Sequence, residues 1–281
     1  MSQASETSRR VPQKIETKIW ANVADEKGHK TTLCHGYDFY NDILGRYSVS
    51  DIFFLLLKGE LPDPKESSVM NILMTSIINP GPKDWSTLTA MTAAVSHTTV
   101  GNSLIAGISA LQSRYNGGLC VEKSMEMFID AAKYTEKKTK TPDLFQILKP
   151  QYPDLPGYGL DRHERDRKVL RLIELIKEEN PEGAYLNLAI ELENEISKIK
   201  KIWLTMPGVI AAILLDLGFK PLDGHGIFIV SSLPGVLSHI LAQMKKGGWN
   251  TFPFYDTPEY NPENINELTE NQKVYGEEID G

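Results

Sequence analysis

The stretch NPGPKDWSTLTAMTAAVSHTTVGNSLIAGISALQSRYNGG, residues 79–118, decides the fold. It opens on a Pro-Gly-Pro break and closes on Asn-Gly-Gly, and such breaks are typical of the turns that bound helices. Between Trp85 and Leu111 the side chains are mostly Ala, Ser, Thr and Gly. Side chains this small let two backbones approach closely. The stretch therefore predicts two helices packed together at the crowded centre of the protein.

Helical signals extend outward from this pair. Asp63-Pro64-Lys65-Glu66 is typical of a helix start, because Asp caps the helix, Pro fits its first turn and Glu completes a capping box. Apolar side chains then recur with helical spacing. Further segments with this spacing lie at 121–135, 163–179, 182–200, 207–217 and 233–245, and the breaks between them include 140–156. Apart from a short hairpin within 17–32, strand alternation is weak, and the sequence predicts an all-α protein.

The acidic charge of the chain is concentrated at its C-terminus. The net charge is −7, and residues 248–281 alone contain eight acidic residues and one lysine, so that the rest is nearly neutral. A neutral body excludes nucleic-acid binding through a basic surface. Six aromatic residues interleave with prolines in the same segment. This composition predicts an acidic arm that wraps a neighbouring element or a partner subunit, because plain disorder would have fewer aromatics.

Other bulk features favour a soluble cytoplasmic protein without a metal. Cys34 and Cys120 are too few for a disulfide framework and are expected to be structural thiols. No clustered Cys/His pattern indicates a metal site. The N-terminal residues are polar, and the longest apolar run, Ile202–Leu217, is short for a membrane span and contains Pro207 and Asp216. We therefore expect neither a membrane nor a nucleic-acid partner.

Four segments, taken together, resemble the citrate synthase and citryl-CoA lyase superfamily. They are HGYDFYNDILGRYSVSDIFFLLLKGELPDPKE at 35–66, the stretch 79–118, PGYGLDRHERDRKVLRL at 156–172, and PGVIAAILLDLGFKP with GIFIVSSLPGVLSHILAQM within 207–244. They follow the family's order. The resemblance implies an all-α, citrate synthase-like fold, with a large helical domain of residues 1–118 and 207–281 and a smaller inserted helical domain of residues 119–206.

The resemblance also implies a homodimer or higher oligomer that binds a CoA thioester and an organic acid between its domains. Coenzyme A is then the expected ligand, and no tightly bound cofactor is expected. In the family an aspartate removes a proton from the thioester methyl, one histidine stabilises the enolate and a second polarises the acceptor carbonyl. This chemistry needs a positioned base, and donors for the developing oxyanion, in a dry cleft.

This chain departs from that pattern at each key position. The two histidines correspond to Asn116 and Leu160, and the aspartate corresponds to Pro207. A further family histidine corresponds to Pro80, and the carboxylate-binding arginine corresponds to Ser232. An isobutyl group and a proline ring cannot transfer protons, so the resemblance implies that the ordinary reaction is lost.

Other polar residues near the implied cleft are candidate replacements. The catalytic candidates are Asn116, Asp161 and His163, the last two just past the Pro-Gly-Tyr-Gly turn, and the candidates for substrate or CoA binding are Lys168, Ser232 and His239. Simpler interpretations exist for several of them. Ser231 and Ser232 resemble helix-start caps, and packing is the simpler role of His239. His97, between small residues, is predicted to be a buried core histidine.

Two functions of different classes stay open. The first is a non-catalytic pseudoenzyme that keeps the dimeric fold and pairs with itself or with an active paralogue. The second is a CoA-thioester enzyme that forms or cleaves a carbon–carbon bond with a rearranged site. An unrelated all-helical regulator is a third, more distant interpretation. The loss of all three proton-handling side chains favours the pseudoenzyme.

Overall fold

The computed structural model describes residues 17–24, 28–135, 141–159, 165–199 and 201–246. Asp161, His163, Leu160 and the acidic arm therefore lie outside the described residues. The elements, in chain order, are β1 Trp20–Ala24, β2 Lys30–Cys34, β3 Tyr37–Asp38, a π-helical segment Phe39–Ile43, α1 Val49–Lys58, α2 Pro64–Ser76, α3 Trp85–Val95, α4 Val100–Leu111, α5 Gly118–Thr135, α6 Thr141–Gln151, β4 Tyr158–Gly159, α7 Arg167–Glu179, α8 Ala184–Ile199, β5 Trp203–Leu204, α9 Met206–Asp216 and α10 Pro221–Lys246.

The predicted all-α class is confirmed. Among the described residues, the strands form only a small antiparallel sheet in the order β1-β2-β3 and a two-stranded pair β4-β5. The predicted hairpin corresponds to the antiparallel pairing of β1 with β2. The predicted capping box is also present, because Asp63 accepts the backbone N–H of Glu66 at 2.8 Å and Glu66 accepts that of Asp63 at 3.0 Å.

The most buried helix is α9. Every residue from Pro207 to Leu215 is buried, and α5, α7, α8 and α10 all pack around the helix. A helix that is apolar all round belongs in a protein core. The helix ends before Gly218, whose φ of +76° is readily adopted only by glycine. The predicted pair α3 and α4 is present and closely packed, since a Cβ on Gly107 would lie 3.1 Å from Ala90.

The prediction for the last helix is wrong. It begins at Pro221 rather than near residue 233, so Ser231 and Ser232 are buried inside α10 instead of capping its start. Glycines in its first half interrupt the apolar spacing that marks a helix. Gly224 has a packing reason, because a Cβ there would collide with the sulfur of Met125 on α5.

Two other sequence predictions are also wrong. The stretch 140–156, predicted as a break, contains α6, which buries Leu144, Phe145 and Leu148. His97 is exposed rather than in the core, because it follows the C-terminus of α3 with a left-handed φ of +60°. One apolar cluster includes residues from both predicted domains, and the domain boundaries near 118 and 206 stay a prediction.

Among the described helices, α10 alone is long and apolar enough to cross a membrane by length and composition. This is weak evidence for a span, because core helices of soluble proteins meet the same criterion. In the structure 44% of its most apolar window is buried, and α10 packs against α3, α4 and α5.

Asp216, the last residue of α9, also caps the start of α8. The carboxylate of Asp216 accepts the backbone N–H groups of Tyr185 at 2.8 Å and Leu186 at 3.1 Å. These are donors that a helix start leaves without an intrahelical partner. Burial raises the pKa of Asp216, and the hydrogen bonds from the backbone oppose that rise. Asp216 therefore acts as a helix cap supplied from a distant part of the chain.

We predict that Asp216→Ala lowers the free energy of unfolding by about 1–2 kcal/mol at neutral pH, because two backbone donors lose their acceptor. Urea denaturation measures the change.

Asp216→Asn keeps an acceptor oxygen and does not titrate. A group whose pKa is raised by folding stabilises the protein most at low pH and loses that contribution as pH rises through its folded pKa. The stability of the wild type relative to Asp216→Asn should therefore increase as pH falls towards 3.8, the ordinary value, and a constant difference contradicts the prediction.

Candidate functional site

The Pro-Gly-Tyr-Gly turn lies directly against the start of α9. The carbonyl of Gly157 accepts both the backbone N–H and the hydroxyl of Thr205 at 2.9 Å. A Cβ on Gly208 would collide with the same carbonyl, and a Cβ on Gly157 would lie 2.8 Å from the Cα of Gly208. Only glycine at both positions permits this contact. Pro207 is buried in the first turn of α9 beside it.

The start of α5 lies on another side of the same turn. A Cβ on Gly157 would lie 2.7 Å from the hydroxyl of Ser124. Burial raises the pKa of the Cys120 thiol, and a hydrogen bond from the backbone of Gly157 opposes the rise. Asn116 is two residues before α5 begins. The Pro-Gly-Tyr-Gly turn, the first two turns of α5 and the start of α9 therefore meet in one region.

Asn116 is exposed and points toward the start of α3. Its side-chain nitrogen lies 3.5 Å from a carboxylate oxygen of Asp84. The other oxygen of Asp84 caps α3 by accepting the backbone N–H of Ser86 at 2.9 Å. Asn116 can therefore donate a hydrogen bond, but its amide has no proton to transfer at neutral pH.

A histidine that the sequence did not single out packs on the glycine pair. The ring of His225, on α10, occupies the place where a Cβ on Gly118 would lie. Its Nδ1 is 2.8 Å from the carboxylate of Glu122 on α5, and both side chains are mostly buried. The partners are 103 residues apart, so no local pattern could have revealed the pair.

The predicted binding residues lie on different elements. Ser232 is fully buried, and its hydroxyl donates to the carbonyl of Phe228 at 2.9 Å within α10. His239 lies seven residues further on the same helix face, with its Nε2 buried and without a hydrogen-bond partner among the described residues. Lys168 is exposed in the first turn of α7, where Asp166 is the N-cap. The structure therefore places Ser232 and His239 on one helix face and Lys168 elsewhere.

The residues on both sides of positions 160–164 contact β5. Gly159 pairs with Trp203, and the guanidinium of Arg165 lies 5.0 Å from the ring of the same tryptophan. Arg165 also donates to Glu193 at 2.7 Å, and the second oxygen of Glu193 accepts the backbone N–H of Leu204 at 2.9 Å. Glu193 is only 3% exposed. This buried carboxylate, which sequence reasoning missed, fixes β5 and Arg165 together just before α9.

A cavity of about 450 Å³ opens at the opposite end of α9. Its lining includes Asp63 and Lys65 at the start of α2, Gly183 before α8, and Asp216. It is therefore separate from the contact between the Pro-Gly-Tyr-Gly turn and the start of α9. No group of three or more His, Cys, Asp or Glu side chains that could hold a metal ion occurs among the described residues.

We predict that Glu193→Ala lowers the free energy of unfolding by about 2–3 kcal/mol, because Arg165 and the N–H of Leu204 both lose their acceptor. This is less than the ~3–5 kcal/mol typical of a fully buried pair, since Arg165 remains partly solvated. Glu193→Gln, which keeps an acceptor for Leu204, should cost less. Urea denaturation of both variants measures the order, and equal effects would contradict the role assigned to the hydrogen bond from Leu204.

Comparison with known proteins gives the same fold. Residues 31–250 match the family model described as citrate synthase, C-terminal domain. The structure of a citryl-CoA lyase from Hydrogenobacter thermophilus superposes with a TM-score of 0.77 at 26% identity, covering 92% of this chain and 99% of that one. A search of curated protein sequences gave no significant match.

Two more distant structures share the fold alone. An ATP citrate lyase from Methanothrix soehngenii has a TM-score of 0.72 at 18% identity, covering 94% of this chain and 43% of that one. A citrate synthase from Thermotoga maritima has a TM-score of 0.60 at 17% identity, covering 79% of this chain and 60% of that one.

Proposed function

Because this chain belongs to the citrate synthase family, we propose that it is a non-catalytic homologue, which keeps the helical fold without the family's carbon–carbon chemistry on CoA thioesters. The observation that carries the proposal is Pro207. It corresponds to the aspartate that serves as base in the family, and it is buried in the first turn of α9 against the Pro-Gly-Tyr-Gly turn. A proline ring at this position has no proton to accept or donate.

The expected loss of rate is large. A positioned general acid or base contributes typically ~10²–10⁴-fold, and one oxyanion donor contributes ~10²–10³-fold. These factors are not additive, but Leu160 and Pro207 remove two proton-handling groups at once. Asn116 retains a donor, and in the structure this donor faces the carboxylate of Asp84. Weak residual binding of an oxygen ligand is compatible with that geometry, whereas proton transfer is not.

The proposed ligand is a CoA thioester or an organic acid. An ATP citrate lyase with this fold is known in complex with citrate and coenzyme A. Replacement of the residues that transfer protons does not by itself remove the other residues that such ligands contact. We propose that this chain binds such a ligand reversibly and holds no cofactor tightly.

We predict no turnover above background when the protein is mixed with acetyl-CoA and oxaloacetate, or with citryl-CoA, and free CoA is followed with a thiol reagent. Pro207→Ala should behave like the wild type, because no base is lost. Thermal unfolding with CoA provides a separate readout, since a ligand at 100 times its Kd stabilises the native state by ~2.7 kcal/mol. Turnover that disappears in Asp161→Ala or His163→Ala would contradict the proposal and favour an enzyme with a rearranged site.

One observation favours that second function. His225 and Glu122 form a histidine oriented by a carboxylate at 2.8 Å, directly behind the Asn-Gly-Gly turn. A base held by an acidic partner is the usual arrangement for general base catalysis. If turnover is found, His225→Gln should abolish it, whereas His97→Gln, at an exposed position, should not. Turnover that survives His225→Gln excludes this pair from the reaction.

The surface of α3 and α4 supports a pairing role. From Trp85 to Leu111 the chain contains no Asp, Glu, Lys or Arg, although Trp85 is 78% and Ile105 is 62% exposed. The cores of protein–protein interfaces are depleted of charged residues and enriched in aromatic ones. We propose that this surface pairs with a second copy of the chain or with a homologous active subunit.

We predict that Ile105→Asp converts a dimer into a monomer at micromolar concentration, because a charge would be buried without a partner. Light scattering coupled to size-exclusion chromatography measures the mass. Val49→Asp is the control, since Val49 is also an exposed apolar residue, 81% exposed at the start of α1. A wild type that is monomeric, or an Ile105→Asp variant of unchanged mass, contradicts the assignment of this surface.

A further inference from the structure

The cavity at the C-terminal end of α9 combines buried apolar side chains with an exposed charged rim. Its volume is about 450 Å³, which is typical of pockets that hold small organic molecules. Val69, Leu215 and Leu217 line the cavity, and each is at most 8% exposed. Lys65 and Glu182 also line it and are exposed. A small molecule in this cavity can therefore bury an apolar body and keep a polar group near the rim.

The lining of this cavity is negatively charged. One lysine, Lys65, stands against four carboxylates, so the formal charge of the lining is −3; the carboxylates are those of Asp63, Glu66, Glu182 and Asp216. In the described part of the chain, no lysine, arginine or histidine forms an ion pair with any of the four. The N-termini of α2 and α8 each contribute only about half a positive charge. The cavity therefore remains negative and favours a cation.

The carboxylates keep acceptor capacity for a ligand. Asp63 and Glu66 each accept one backbone N–H, and Asp216 accepts two through different oxygens. Because a carboxylate offers about four acceptor positions, each of these side chains can accept a further donor. Burial raises the pKa of Asp216, which indicates that its negative charge is incompletely compensated by the surrounding protein.

The positions of the carboxylates favour an organic cation over a metal ion. Asp63 and Glu66 belong to the start of α2, Glu182 precedes α8 and Asp216 ends α9. A hard metal ion needs several oxygen ligands together at ~2.0–2.6 Å, and no group of three or more candidate ligands occurs among the described residues. An ammonium group needs only one to three acceptors at hydrogen-bonding distance. The buried apolar side chains of the lining also suit an organic molecule and offer nothing to a metal.

We propose that this cavity binds a protonated organic amine, whose ammonium group faces the carboxylates and whose apolar body packs against Val69, Leu215 and Leu217. The site is separate from the contact between the Pro-Gly-Tyr-Gly turn and the start of α9, so binding here can be measured independently of turnover. The helix α8 belongs to the predicted smaller domain, and α2 and α9 belong to the larger one. A bound amine therefore contacts both predicted domains.

Isothermal titration calorimetry with n-hexylammonium tests the proposal. Hexanol and hexanoate have the same apolar body with no charge and with a negative charge. Both should bind at least about tenfold more weakly, because hydrogen bonds to a charged donor are the stronger ones. Butylammonium should also bind about tenfold more weakly, because it buries two methylenes fewer. Absence of hexylammonium binding, or equal binding of hexylammonium and hexanol, overturns the proposal.

Two exposed charges should act in opposite directions. Glu182→Gln should weaken the binding of hexylammonium about threefold, and Lys65→Gln should strengthen it by about the same factor, which is the scale of an exposed ion pair. The matched control is Glu179→Gln, since Glu179 is an exposed carboxylate at the end of α7 that does not line the cavity. Equal effects of Glu182→Gln and Glu179→Gln would mean that only the overall charge matters, and would overturn the proposal.

Hydrogen exchange locates the bound amine. Saturating hexylammonium should slow exchange of the amides of Tyr185 and Leu186, which donate to Asp216 beside the cavity, because the ligand opposes local opening at the start of α8. Exchange in α3 and α4 should be unchanged. Equal slowing in α3 and α4 would indicate adsorption to their exposed apolar surface, and this result, or unchanged exchange at Tyr185 and Leu186, overturns the assignment of the site.

Discussion

The backbone contact between Gly157 and Gly208 is the constraint on which the rest of the structure depends. The carbonyl of Gly157 occupies the space that any side chain on Gly208 would need, and it accepts two hydrogen bonds from Thr205. The contact joins the Pro-Gly-Tyr-Gly turn to the first turn of α9. Because α9 is buried from Pro207 to Leu215, its position determines where α5, α7, α8 and α10 can pack. Two glycines thus fix the geometry of the core.

Under the proposed function, the same contact explains how the fold persists without the family's chemistry. Proline is well suited to the first turn of a helix, because its φ is already helical and its missing N–H is not needed there. Pro207 therefore favours the start of α9 at a point where the resemblance implies a charged base. A buried carboxylate beside packed glycines carries a desolvation cost, which an enzyme accepts for its activity. Replacement by proline removes that cost, and it is consistent with a site under selection for stability rather than for catalysis.

Local patterns predicted much of the fold and little of the candidate site. The capping box at Asp63, the pair α3 and α4, and the β1–β2 hairpin depend on neighbours in sequence, and all were predictable. The first half of α10 was missed because glycines such as Gly224 serve close packing against α5, which no local pattern reveals. The pairs of His225 with Glu122 and of Arg165 with Glu193 join residues 103 and 28 positions apart. Such partners are determined by tertiary packing, so a single sequence could not indicate them.

The distinction between binding and catalysis decides what a cleft of this kind can still do. Catalysis requires interactions that are stronger in the transition state than in the ground state, whereas binding requires only interactions in the ground state. The proposed function assumes the loss of an aspartate and two histidines, which act mainly in the steps that transfer protons. A hydrogen-bond donor such as the amide of Asn116 can contact a ligand oxygen in the ground state without any proton transfer. Under the proposed function, a chain with donors but without proton carriers would hold a ligand in its ground state and release it unchanged.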